Sequence, residues 1–161
     1  MKKLLGRLIL AGIAVLIVAQ FFRPERTNPA SDPNVSIRRH PGVPPAVLAT
    51  LERSCFNCHS NETHWPWYSN ITPVNYLVVS DVNDARKRMN FSEWGAIKTF
   101  RIQSLLDRIP DEISDGGMPL PRYVMMHPEA KLSAAEIKAI SDWTDAEQDR
   151  LSDSTQVDTG N

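Results

Sequence analysis

The 161-residue chain has only two cysteines, Cys55 and Cys58, and both fall in one five-residue stretch. A structural disulfide framework is therefore excluded, and so is any zinc site built on four cysteines. No H-x3-5-H pair follows at finger spacing, which removes the mixed cysteine and histidine zinc sites. An apolar strand run before residue 55 is also missing, so the context of a thioredoxin-type redox motif is absent. The chain has no excess of positive charge: 18 Lys and Arg stand against 19 Asp and Glu, a net charge of -1. Beyond residue 26 the balance is 13 basic against 18 acidic, about -5, which argues against nucleic-acid binding and suits a basic or neutral protein partner.

What is present is Cys55-Phe56-Asn57-Cys58-His59. Two thiols three positions apart with an imidazole directly after the second are what covalent haem attachment requires. Each sulfur forms a thioether, and the histidine binds the iron from one side. The competing readings are zinc, a redox dithiol and a chance occurrence in a structural helix.

The chain opens with Lys2, Lys3 and Arg7, then runs from Leu8 to Phe22 without a charge. Counted from Leu4, the 19 residues would reach about 28 Å, close to the roughly 30 Å hydrocarbon core of a bilayer. The sequence thus predicts a single-pass membrane anchor over residues 1–22, placing the rest at the outer face of a bacterial inner membrane; a cleaved secretory signal is the rival reading. The lack of a cysteine near the end of this run excludes a lipoprotein.

Residues 23–45 hold six of the 12 prolines and few large apolar residues, which predicts an extended tether. His40 lies within it and reads as a solvated linker histidine. The folded domain is predicted over 46–151. A short helix with Val47, Leu48 and Leu51 on one face delivers the CxxCH motif. Trp65, Trp67 and Tyr68 form an aromatic loop expected to wall the haem, and His64 stands too close to His59 to reach the other face of the ring. A helix is expected from Thr72-Pro73 to about Asn90, its closing Arg86, Lys87 and Arg88 favouring the helix dipole and solvent, and another before Pro110. A capping box, Ser133 to Glu136, opens a last helix, and 152–161 reads as a disordered tail.

Asp115-Gly116-Gly117-Met118-Pro119-Leu120-Pro121 forms a rigid, irregular loop able to present a thioether at a fixed distance. Met118 is therefore the leading candidate for the second axial ligand of the iron, with Met125, Met126 and His127 as competitors. Met89 reads as core.

The CxxCH helix, the Met-Pro loop and a final helix with Ile137, Ile140 and Trp143 together resemble the class I cytochrome c fold. More closely, CFNCHSNETHWPWYSNITPVNYL at 55–77, Met118-Pro119 and His127 to Ser133 resemble the bacterial haem-binding domain family of small membrane-anchored cytochrome c-like proteins. The resemblance covers about residues 15–145. It implies an all-α domain around one covalently attached haem c, with thioethers at Cys55 and Cys58 and His59 and Met118 as iron ligands. The function to expect is single-electron transfer to a redox protein partner, without enzymatic turnover. A haem sensor or small peroxidase with an open distal position is the alternative.

Overall fold

The computed structural model describes residues 1–159, with side chains through Asp153. The described residues contain seven α-helices and no strand, in agreement with the expected all-α class. These are α1 (Lys2–Ala19), α2 (Pro45–Ser54), α3 (Phe56–His59), α4 (Val74–Arg88), α5 (Thr99–Ser114), α6 (Pro121–Met126) and α7 (Ala134–Thr159). α7 continues through most of the stretch expected as a tail; residues 160–161 of that stretch lie outside the described residues.

The predicted membrane span does not hold. No helix among the described residues is long and apolar enough to cross a membrane. α1 stops at Ala19 and contains Lys2, Lys3 and Arg7 within its 18 residues. Only Leu8–Ala19 is free of charge, about 18 Å of helix, well short of a roughly 30 Å hydrocarbon core. With the span goes the basis for placing the protein as a single-pass component of an inner membrane.

The core is built where α5 and α7 pack along each other and α2 crosses α7. Leu51 from α2, Ile102, Leu106 and Ile113 from α5, and Ile140 and Trp143 from α7 are all buried there, around Phe91 and Trp94. Phe91 and Trp94 belong to a 3-10 segment, Phe91–Ala96, rather than to the following helix. α5 runs through Pro110 instead of ending before it. The burial of Ile113 one turn further on, about 2 kcal/mol for an apolar side chain of that size, offsets part of what the proline costs the helix.

The proline-rich segment is extended but not a free tether. Ile37 is fully buried in the core, and the Val35 carbonyl accepts from Gly95 N at 2.7 Å. A Cβ on Gly95 would stand 3.3 Å from the Val35 backbone, a tight approach at which the crossing segment would have to give by a few tenths of an ångström. Arg86 clamps the segment further: it donates to the Thr27 carbonyl at 2.8 Å and Asn28 Oδ1 at 3.0 Å, and also to the Ser60 carbonyl at 2.7 Å and Thr63 Oγ1 at 2.8 Å. Arg86 is thus no solvated residue of a charge run. Nor is His40 a solvated one: its Nε2 lies 3.2 Å from Oε1 of the buried Glu147.

Candidate functional site

The single helical turn of α3 follows α2 after a break in helical geometry at Cys55, where φ is -122° and ψ -35°. Cys58 N and His59 N both donate to the Cys55 carbonyl, at 3.1 and 3.0 Å, so the turn brings the two thiols and the imidazole to one region. Asn57 staples the turn to its surroundings. Its Nδ2 donates to Tyr123 Oη at 2.7 Å, its Oδ1 accepts from His64 N at 3.1 Å, and its carbonyl accepts from Thr63 Oγ1 at 2.8 Å.

These groups open onto a cavity of about 550 Å³, within the range of a cofactor site. Cys55, Cys58, His59 and Met118 all line it, with Leu51, Phe91, Leu105 and Ile109 supplying apolar walls. Met118 reaches it from the loop after α5, where its N–H donates to the Glu112 carbonyl at 2.9 Å and Gly116 takes a φ of +72° that glycine accepts without strain. Burial pushes the Cys55 thiol up to about 12 and the Cys58 thiol up to about 11. Redox dithiols need the opposite shift, so the electrostatics disfavour that reading. No cluster of three or more His, Cys, Asp or Glu able to hold a bare metal ion occurs among the described residues.

Burial also lowers the His59 pKa, which keeps the ring neutral. His59 Nδ1 lies 3.1 Å from the Met89 carbonyl. Because a carbonyl only accepts, the proton sits on Nδ1 and the Nε2 lone pair is available to a metal. Ser54 Oγ, buried on the same cavity wall, has no hydrogen-bond partner among the described residues. An apolar-walled space of this size, with two neutral thiols, a neutral imidazole, a thioether and an unpartnered hydroxyl, fits a haem.

The other predicted residues are distributed differently. Trp65 and Trp67 do not line the cavity, and Trp67 is 68% exposed. Pro66 is extended, with φ -70° and ψ 160°, and the aromatic wall is supplied instead by Phe91, which stacks on Phe56 at 5.2 Å and meets the His59 ring edge-on at 6.2 Å. Tyr68, His64 and Met126 line a neighbouring apolar cavity of about 290 Å³ that shares Cys58 with the first. Met125 is 76% exposed, and His127 is engaged by Tyr68 Oη at 2.9 Å and Glu129 Oε1 at 3.1 Å. Met89 does line the main cavity, but its carbonyl holds it on the Nδ1 side of His59.

Sequence reasoning missed Phe91, Ser54 and the cavity-facing arginines Arg88, Arg101 and Arg108. The spacing of Arg101, Leu105, Arg108 and Glu112 along one helical face was the signal available for two of them.

No curated protein and no solved structure matches the chain. The sequence model of the haem-binding domain family, in contrast, matches residues 14–146, which contain every residue of the cavity. The chain belongs to the haem-binding domain family, and its cofactor is haem.

Proposed function

We propose that the protein is a monohaem c-type cytochrome that carries single electrons. The observation that carries this reading is the convergence of Cys55, Cys58, His59 and Met118 on one cavity. Cys55 and Cys58 would hold the haem through thioethers, each formed by addition of S–H across a vinyl group without an oxidant. His59, through its free Nε2, and Met118, through its sulfur, are the residues that would ligate the haem iron. The bound group supplies one-electron chemistry, and Met/His ligation raises its potential. Phe91, Leu105 and Ile109 exclude water from it. No substrate is turned over, and the acidic balance of the chain beyond residue 26 suits docking to a basic or neutral redox protein.

A second reading, a sensor or small peroxidase with a labile distal position, is favoured by one observation. The adjoining cavity is walled by Tyr68, whose hydroxyl meets His127 and, through it, Glu129. The test is a pyridine haemochrome spectrum with intact mass, followed by carbon monoxide added to the reduced protein. Thioether-linked haem that ignores carbon monoxide supports the carrier, rapid binding supports the sensor or peroxidase, and the bare polypeptide mass after production in a maturation-competent host overturns both.

A further inference from the structure

The rim of the main cavity is unevenly charged. Arg88 at the end of α4 and Arg101 and Arg108 on α5 all line it, with Ser104 between the last two. Positions 101, 104 and 108 follow helical spacing and so share one face of α5. Their local partners leave charge over. Arg101 donates to the Lys87 and Arg88 carbonyls, both at 3.0 Å, and these are neutral acceptors at the negative end of α4. Arg108 meets Glu112 only at 3.6 Å, with both side chains largely exposed. No ion pair joins Arg88 to a carboxylate among the described residues. The remaining charged groups facing the cavity are Asp81, Asp84, Glu112 and Arg122. Asp81 is taken by Arg122 at 2.6 Å and Asp84 by Lys87 at 3.4 Å. Like charges gathered at the mouth of an apolar cavity repel one another unless a counter-anion joins them.

We propose that Arg88, Arg101 and Arg108, with the Ser104 hydroxyl, form a carboxylate-binding edge that holds the two propionate groups of the haem. This rests on the haem reading above and adds a direction to it: the ring lies between the thiols of Cys55 and Cys58 and the guanidinium edge of α4 and α5. Guanidinium groups suit this role because they stay charged and pair with carboxylates through two parallel hydrogen bonds. The edge also adjoins the iron ligand. Arg101 grips the carbonyls of residues 87 and 88, and the next carbonyl, Met89, holds His59 Nδ1.

The experiment compares midpoint potentials of the purified holoprotein between about pH 5 and pH 8, after a pyridine haemochrome spectrum has established loading in each variant. Arg101 also supports α4, so the decisive variant is Arg88→Gln/Arg108→Gln, with Arg101→Lys keeping charge and Arg39→Gln as a remote charge control. With the guanidiniums in place the propionates remain ionised throughout, and the parent potential is flat. Without them, propionate pKa values rise into the window. The double variant then shows a lower potential at its upper end and a fall in potential as pH rises, because each proton lost adds negative charge that favours ferric iron. Arg101→Lys stays close to the parent, and Arg39→Gln is indistinguishable from it. A loaded double variant with the parent's potential and flat profile overturns the propionate assignment alone. A parent that carries no haem overturns the haem reading and this assignment together.

Discussion

His59 Nδ1 stands 3.1 Å from the carbonyl oxygen of Met89, and this one contact fixes which ring nitrogen faces the cavity. The acceptor is a backbone atom at the end of α4, so the orientation of the ring is set by helix packing rather than by another side chain. Replacing His59 by Ala therefore removes the proposed iron ligand without disturbing the backbone behind it. The loaded variant is expected to show a high-spin spectrum in place of a low-spin one, read by optical absorption of the oxidised protein.

Met118→Ala should open the iron. The expected outcome is loss of the Met-to-iron absorption in the oxidised form, rapid carbon monoxide binding in the reduced form and a lower potential. Met125→Ala, at a side chain that is 76% exposed, should leave all three unchanged. The reverse pattern would reassign the ligand.

Arg86→Ala should destabilise the fold strongly for an arginine. The side chain bonds four acceptors on two separate segments, 27–28 and 60–63, and hydrogen bonds to a charged donor are worth about 1.5–3 kcal/mol apiece before mutual overlap. A net loss of about 3 kcal/mol is expected in urea titration, discounted because the residue is only partly buried. Lys87→Ala, on an exposed pair, should cost about 0.5 kcal/mol or less.

In the core, Leu106→Ala removes a fully buried side chain of α5 and should cost about 2–5 kcal/mol. Phe100→Ala, one turn and a half earlier on the same helix but 70% exposed, should change stability by about 0.5 kcal/mol or less. Equal losses would mean that the helix face has been misassigned.

Two groups away from the cavity contribute to the acid side of the stability profile. Burial lowers the His40 pKa from its usual 6.5 despite the nearby Glu147, so the unfolded chain binds that proton more readily than the folded one. Its contribution is present above about pH 6.5 and is lost as pH falls through the lower folded value. Glu136 is held at about 2, against its usual 4.5, by the Ser133 N–H first, then by the Ser133 hydroxyl and Arg53. Its contribution is present above 4.5 and disappears on acidification towards 2. His40→Gln should remove the higher of these two losses and Glu136→Gln the lower, in denaturation midpoints followed across pH.

Part of the fold was legible in the sequence. The capping box is there: Ser133 N donates to Glu136 Oε2 at 2.8 Å, and Glu136 N donates back to Ser133 Oγ at 3.3 Å. Other readings failed for identifiable reasons. Hydropathy of residues 4–22 gave a span because it ignored where the helix ends and how many charges it encloses. The proline count at 23–45 gave a tether because composition does not show that Ile37 has a place in the core, or that Arg86 is waiting to bond Thr27 and Asn28. Trp65 and Trp67 were assigned to the haem on size alone, and a loop of that composition does not state which way it turns.

The sequence by itself determined the chemistry at residues 55–59. Spacing within one helical turn is a local property, so two thiols and an imidazole at positions 55, 58 and 59 must come together wherever that turn is placed. Only the tertiary structure decided what those groups face: α4 supplies the carbonyl behind His59, the loop after α5 brings in Met118 from far along the chain, and α5 adds an arginine edge. Contacts of that kind depend on how helices pack across the core, a relation between distant segments that no local pattern encodes.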